Sequence, residues 1–170
     1  MSTVFNRTRV SEPALFTPCD TTEKVKDFPA VCVSTFSENI IQKFATLRET
    51  EKIAELYTAN GSTPVYKIRY GGQEIAFYQS RVGAPACVSG FEEIIAMGAE
   101  RFVLFGSCGV LDDEKVKKRI IVPVSAVRDE GTSYHYAVPS EEIETDPEQV
   151  RILKNVLERC GYPYVEGKTW

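Results

Sequence analysis

The sequence predicts an α/β fold built on a mixed sheet, and three observations predict it. Short apolar runs such as Ala30-Val31-Cys32-Val33-Ser34 and Phe102-Val103-Leu104-Phe105 have the length of buried strands. They alternate with stretches whose apolar residues recur at helical spacing, which is the pattern of the α/β class. Two β-rich runs flank Gly71-Gly72 and read as a hairpin, so one part of the sheet is antiparallel.

Length and composition set the frame. A chain of 170 residues and 19.0 kDa is one domain by size. A folded chain of that size buries roughly 70% of its unfolded surface. With 43% apolar and 26% charged residues it is ordinary globular material, not collagen-like, coiled-coil or wholly disordered. The net charge of −4 and pI near 5.2 argue against nucleic acid as a partner, because phosphates must be met by clustered Lys and Arg. No apolar run reaches the roughly 18 residues of a spanning helix, so no membrane is expected. The stretch from Met1 to Pro13 has no apolar core of a secretory signal. Cys19, Cys32, Cys87, Cys108 and Cys160 are an odd, scattered set that suits reduced thiols in a cytoplasmic protein.

Residues 1–29 are polar, carry Pro13, Pro18 and Pro29, and read as an N-terminal arm that a partner subunit can order. The packed domain covers 30–170 and opens with the strand at 30–34. Ser37 can cap a helix with Ile40, Ile41, Phe44 and Leu47 on one stripe, continuing through Ile53 and Leu56. Asn60-Gly61 marks a turn. The hairpin follows, from Val65 to Tyr70 and from Glu74 to Gln79. Arg81-Val82-Gly83-Ala84-Pro85 turns into a helix with Phe91, Ile94 and Ile95 inward. Pro85 suits its first turn and Gly98 its end. Phe102 to Phe105 is a buried strand that stops at Gly106-Ser107-Cys108-Gly109. Ile120 to Val124 is another strand. Asp146 and Pro147 open a helix with Val150, Leu153, Leu157 and Cys160 inward, closed by Gly161. Tyr164-Val165 begins the last strand.

Ligands of open α/β sheets sit beyond the carboxyl ends of the strands. That rule points to 106–109 and to the segment from Arg128 to His135. In Gly106-Ser107-Cys108-Gly109 the glycines let backbone N–H groups approach an anion or sugar, and Ser107 adds a hydroxyl. An ordinary tight turn fits the same residues equally well. Cys108 is a nucleophile only if paired with the sole histidine, His135; a small buried thiol is the simpler reading. The 128–135 segment is either a site rim or a solvated loop with internal salt bridges. Arg81 offers a forked anion contact or a surface salt bridge. One histidine, no CxxC and no HExxH leave no zinc geometry. The acidic run from Glu141 to Glu148 reads as solvated surface.

The stretch from Arg81 to His135 resembles the nucleoside phosphorylase superfamily of uridine phosphorylase, hexameric purine nucleoside phosphorylase and methylthioadenosine nucleosidase type. Three patterns carry the resemblance: Val82-Gly83-Ala84-Pro85, Phe105-Gly106-Ser107-Cys108-Gly109, and Ala126-Val127-Arg128-Asp129-Glu130-Gly131-Thr132-Ser133-Tyr134-His135. It implies a single three-layer domain around a central mixed sheet, cut short at its C-terminus and matching about the first two-thirds of a family domain. It implies phosphorolysis of a nucleoside, most nearly of the uridine phosphorylase kind, to free base and ribose 1-phosphate. The substrate-binding residues would be Gly106, Ser107, Cys108, Gly109, Arg81 and His135. Phosphate would be a co-substrate, with no metal or organic cofactor, and the chain would form a homo-oligomer. The acid that assists the leaving base would lie past Trp170.

The departures are specific. Ser34-Thr35-Phe36-Ser37-Glu38 stands where the family has a Gly-Asp-Pro turn, and Leu104 stands where it has an arginine. A third family arginine would fall near Gly61. These losses keep two alternatives open: a nucleosidase that uses water, and a non-catalytic binding or assembly module.

Overall fold

The structure is a computed structural model that describes residues 13–59 and 61–170. Residues 1–12 of the expected arm, and Asn60 of the expected turn, lie outside the described residues. The chain forms two compact units, 14–107 and 108–170.

The first unit runs α1 (Pro18–Thr21), β1 (Val31–Thr35), α2 (Glu38–Ala45), β2 (Glu51–Thr58), β3 (Gly61–Tyr70), β4 (Gln73–Gln79), α3 (Ala84–Met97) and β5 (Arg101–Phe105). Its five-stranded sheet has the order β2-β3-β4-β1-β5. β2, β3 and β4 pair antiparallel, whereas β1 lies parallel to both β4 and β5. The sheet is therefore mixed, as the sequence implies. The hairpin turns on Gly71 and Gly72, at φ 57° and 82°. Two consecutive left-handed residues let the flanking strands keep their natural twist.

One expectation fails in the first unit. The helix after β1 stops at Ala45, and Ile53 and Leu56 belong to a strand. The Thr50 hydroxyl donates to the Phe44 carbonyl at 2.8 Å and helps close the turn after the helix. Glu51 to Thr58 is rich in helix formers, but propensity is a weak force and pairing along β3 overrides it. Ser37 stands at the N-cap of α2, yet its side chain makes no capping bond.

Strand alternation sorts the core. Cys32, Ala76 and Tyr78 join Leu56, Val65, Ile94, Met97 and Ala99 in one buried cluster, which places α3 on that face. Phe77 lies edge-on to Phe44 of α2, with ring centroids 6.2 Å apart, and stacks on Tyr66. The two helices thus cover opposite faces. Ile95 is 53% exposed and lies off the inward stripe expected for it. β5 is the outer strand of this sheet, and Val103, Leu104 and Phe105 are about half exposed, which corrects its reading as a buried strand.

The second unit runs α4 (Asp113–Val116), β6 (Ile120–Val127), a 3-10 turn (Thr132–His135), β7 (Glu142–Glu144), α5 (Pro147–Arg159) and β8 (Tyr164–Thr169). The sheet order is β7-β6-β8, antiparallel then parallel. The register of β6 slips between Pro123 and Ser125, next to the one residue without an N–H to give. Asp146 caps α5 by accepting from the amides of Glu148 and Gln149 at 2.8 and 3.2 Å. Val122 and Leu157 are buried, but Leu153 is 38% exposed and Cys160 is exposed rather than inward. The acidic run is exposed and also supplies the short strand β7.

Among the described residues no helix is long and apolar enough to cross a membrane.

Candidate functional site

In the first unit the parallel strands end side by side. Thr35 is in register with Gln79 on one side and with Phe105 on the other. The Ser80 amide donates to the Thr35 carbonyl at 2.9 Å, and the Ser80 and Ser34 hydroxyls meet at 3.3 Å. Gln79 Nε2 reaches the Phe36 carbonyl at 3.4 Å. These contacts bring the turns after β1, β4 and β5 to one end of the sheet.

Gly106 is fixed there by close approach. A Cβ at this position would lie 2.8 Å from Phe36 Cδ2, closer than side-chain carbons come without a shift. The Phe36 ring therefore lies against bare backbone, and Ser107 follows it at an exposed position. Gly83 heads α3 at φ 101°, and no side chain caps that helix end. Free amides at a helix start carry partial positive charge and favour an anion. The strand ends thus offer a hydroxyl, backbone donors and a helix start.

They offer little formal positive charge. Among the described residues at these ends and in the turns just after them (35–38, 79–84 and 105–107), Arg81 is the one cation. Its Nη2 donates to the Gly61 carbonyl at 3.0 Å and to Thr63 Oγ1 at 3.2 Å. The guanidinium is engaged by the mouth of the β2–β3 hairpin, and its charge also acts on the Glu93 carboxyl. Glu38, in the first turn of α2, adds a negative charge.

The other expected site residues lie in the second unit. Cys108 is exposed, which corrects the reading of it as a buried thiol. With Gly109 it lines a cleft of about 650 Å³, together with Val110, Leu111, Ile121 and Trp170. His135 is exposed and ends the 3-10 turn.

The segment from Arg128 to Ser140 winds around a buried guanidinium. Arg128 is only 5% exposed. Its Nε donates to Ser133 Oγ at 3.0 Å, Nη1 to Ser140 Oγ at 2.8 Å and to the Val138 carbonyl, and Nη2 to the Ala137 carbonyl at 3.0 Å. The Tyr134 ring lies 4.5 Å from the guanidinium carbon, and its hydroxyl returns to the Arg128 carbonyl at 3.1 Å. Glu130 accepts from the amides of Thr132 and Ser133. Burial pushes the Glu130 carboxyl up, but those donors outweigh it and hold the group below the usual carboxylate range.

The family model described as the phosphorylase superfamily matches residues 30–170. The chain belongs to the phosphorylase superfamily. Its curated relatives include a guanosine phosphorylase of Halorubrum lacusprofundi, 28% identical over 83 residues. They also include uridine phosphorylases of Thermococcus kodakarensis, 31% identical over 101 residues, and of Treponema pallidum, 30% identical over 104. These matches take in 49–59% of this chain and 34–36% of the relatives, so the chain matches about a third of their length. A uridine phosphorylase structure from Vibrio fischeri superposes with a TM-score of 0.71 at 22% identity, covering 86% of this chain and 60% of that one. A purine nucleoside phosphorylase from Toxoplasma gondii gives 0.70 at 19%, covering 84% and 57%. At such identities the likeness is one of phosphorylase fold.

Sequence reading pointed to Gly106 and Ser107 at this end of the sheet. It had no signal for the Phe36 ring that packs on Gly106, or for the Ser34–Ser80 hydroxyl pair, because the partners are distant in the chain. Ser37, in the turn after β1, joins the candidate set on geometry alone.

Proposed function

We propose that this chain forms part of a nucleoside phosphorylase, one that exchanges the base of a nucleoside for phosphate and yields free base and ribose 1-phosphate. A substrate of the uridine type is favoured, since two of the relatives carry that name. The carrying observation is the alignment of β1, β4 and β5 ends, with Gly106 pressed on Phe36 and Ser107 exposed beside it. In this reading Ser107 donates its hydroxyl to phosphate or ribose. The amides at the start of α3 face the anion. Positive charge that develops on the ribose is stabilised by the placed anion rather than by a covalent intermediate. Cys108, Gly109 and His135, all exposed on the second unit, keep the substrate-side role that the family resemblance implies. Phosphate is a co-substrate and no further cofactor enters.

A second reading has specific support. Arg81 is held by the hairpin mouth, and Glu38 stands near the strand ends, so charge-assisted phosphate contacts are scarce. Each such contact contributes about 1.5–3 kcal/mol. Water would then replace phosphate, as in a nucleosidase.

The test is release of base from uridine, guanosine and inosine with and without phosphate, alongside calorimetric binding of each nucleoside. Phosphate-dependent release supports phosphorolysis. Equal release without phosphate supports hydrolysis. Binding without turnover supports a non-catalytic module. Ser107→Ala should weaken affinity by about 1–3 kcal/mol, and an unchanged affinity removes Ser107 from the site.

A further inference from the structure

The strongest unexplained feature outside the strand ends is a buried hydroxyl. Tyr78 is 1% exposed, and its hydroxyl makes no hydrogen bond to any described protein atom. Burial pushes its pKa up to about 12; the nearby Ser80 and Ser34 hydroxyls temper the rise. Those two serines bond to each other at 3.3 Å. A buried hydroxyl without a partner is costly, and native interiors rarely keep one.

Beside Tyr78 is a small pocket of about 20 Å³. Its lining includes Thr63 at the hairpin mouth and Arg81 after β4. Cys87, Ser89 and Glu93 face it from α3. A single water needs about 10–15 Å³ and two to four polar partners. The space is too small for an organic ligand and sufficient for water.

We infer that this pocket is an internal hydration site, in which one ordered water bonds to the Tyr78 hydroxyl and links β4 to the hairpin mouth and the first turns of α3. The bound molecule is neutral water, since the surroundings hold one cation and one carboxylate of opposite sign, Arg81 and Glu93. Burial pushes the Glu93 carboxyl up, and Arg81 opposes that rise. This inference does not depend on the enzymatic reading.

Two variants decide it by sign. If water satisfies the phenol, Tyr78→Phe loses a hydrogen bond and lowers the melting temperature of the full chain. If the phenol is bare, removing it relieves an unmet donor, and the melting temperature stays level or rises, which overturns the inference. Gly90→Ala tests the same space from the helix. Its Cβ would sit 3.6–3.7 Å from Tyr78 and Leu56, at ordinary contact distance. Alanine normally stabilises a helix interior relative to glycine. With water present the methyl crowds it, so the gain is smaller in the parent chain than in the Tyr78→Phe background. An equal gain in both backgrounds overturns the inference. Should Tyr78→Phe not fold, a high-resolution crystal structure of the unaltered chain settles the matter. Solvent density within bonding reach of Tyr78 Oη supports the site, and none there ends it.

Discussion

Replacing Gly106 by alanine tests the geometry on which the candidate site depends. The new Cβ would stand 2.8 Å from Phe36 Cδ2 and 3.4 Å from Cε2. Either the ring turns away or the strand end moves. Overpacking of this kind costs about 1–3 kcal/mol. For a chain of this size that corresponds to a drop of about 2–12 °C in melting temperature. Thermal unfolding followed by circular dichroism measures it. The cause is checked by a double-mutant cycle with Phe36→Ala, which removes the ring. If the clash is the cause, the paired variant loses less than the sum of the single losses, by about 1 kcal/mol or more. The parent melting temperature in Gly106→Ala, or strict additivity in the pair, would refute the close approach. A displaced strand end also moves Ser107, so nucleoside affinity should fall together with stability.

Three other outcomes are expected. Arg128→Met removes a buried guanidinium from four hydrogen bonds and should cost about 3 kcal/mol or more; hydrogen exchange should accelerate across residues 128–141, and unchanged protection there would contradict the account. The Glu55 carboxyl is pulled from its ordinary 4.5 to about 2, first by Lys52 and then by the hydroxyls of Tyr57 and Ser62. A depressed carboxyl stabilises the fold above its unfolded pKa. That contribution is lost as pH falls from about 4.5 through about 2, so Glu55→Gln should flatten the acid limb of a stability–pH curve, and an identical limb would argue against it. Burial pushes the Cys32 thiol up to about 12, whereas Cys19, Cys108 and Cys160 are exposed. A thiol reagent should label those three in the native chain and Cys32 only on unfolding; native labelling of Cys32 would show that it is accessible.

Parts of this fold are legible because single residues dictate local backbone. Gly71-Gly72 makes the hairpin turn almost obligatory, and Pro85 with Gly98 brackets α3 nearly to the residue. Asp146 likewise announces α5 through its carboxylate. β2 was hidden because Glu51 to Leu56 favours a helix locally, and only the partner strand β3 decides otherwise. Arg81 could be read as an anion ligand or half of a salt bridge. Its actual partners, a carbonyl and a threonine hydroxyl on the hairpin, carry no charge signature that spacing could reveal. The same holds for Arg128, whose shell of carbonyls and hydroxyls forms only once the loop has closed around it. Side-chain chemistry at the site was visible in residue types, while the contacts that orient it are long-range.

The outer position of β5 bears on how the purified chain will behave. Within its sheet it pairs on one side alone, with β1, and Val103, Leu104 and Phe105 along it are half-uncovered. Such a margin is a template for a foreign strand, and aqueous handling at high concentration will favour sticky, sheet-to-sheet adhesion. A lysine in place of Val103 would blunt that adhesion without touching the turn that follows.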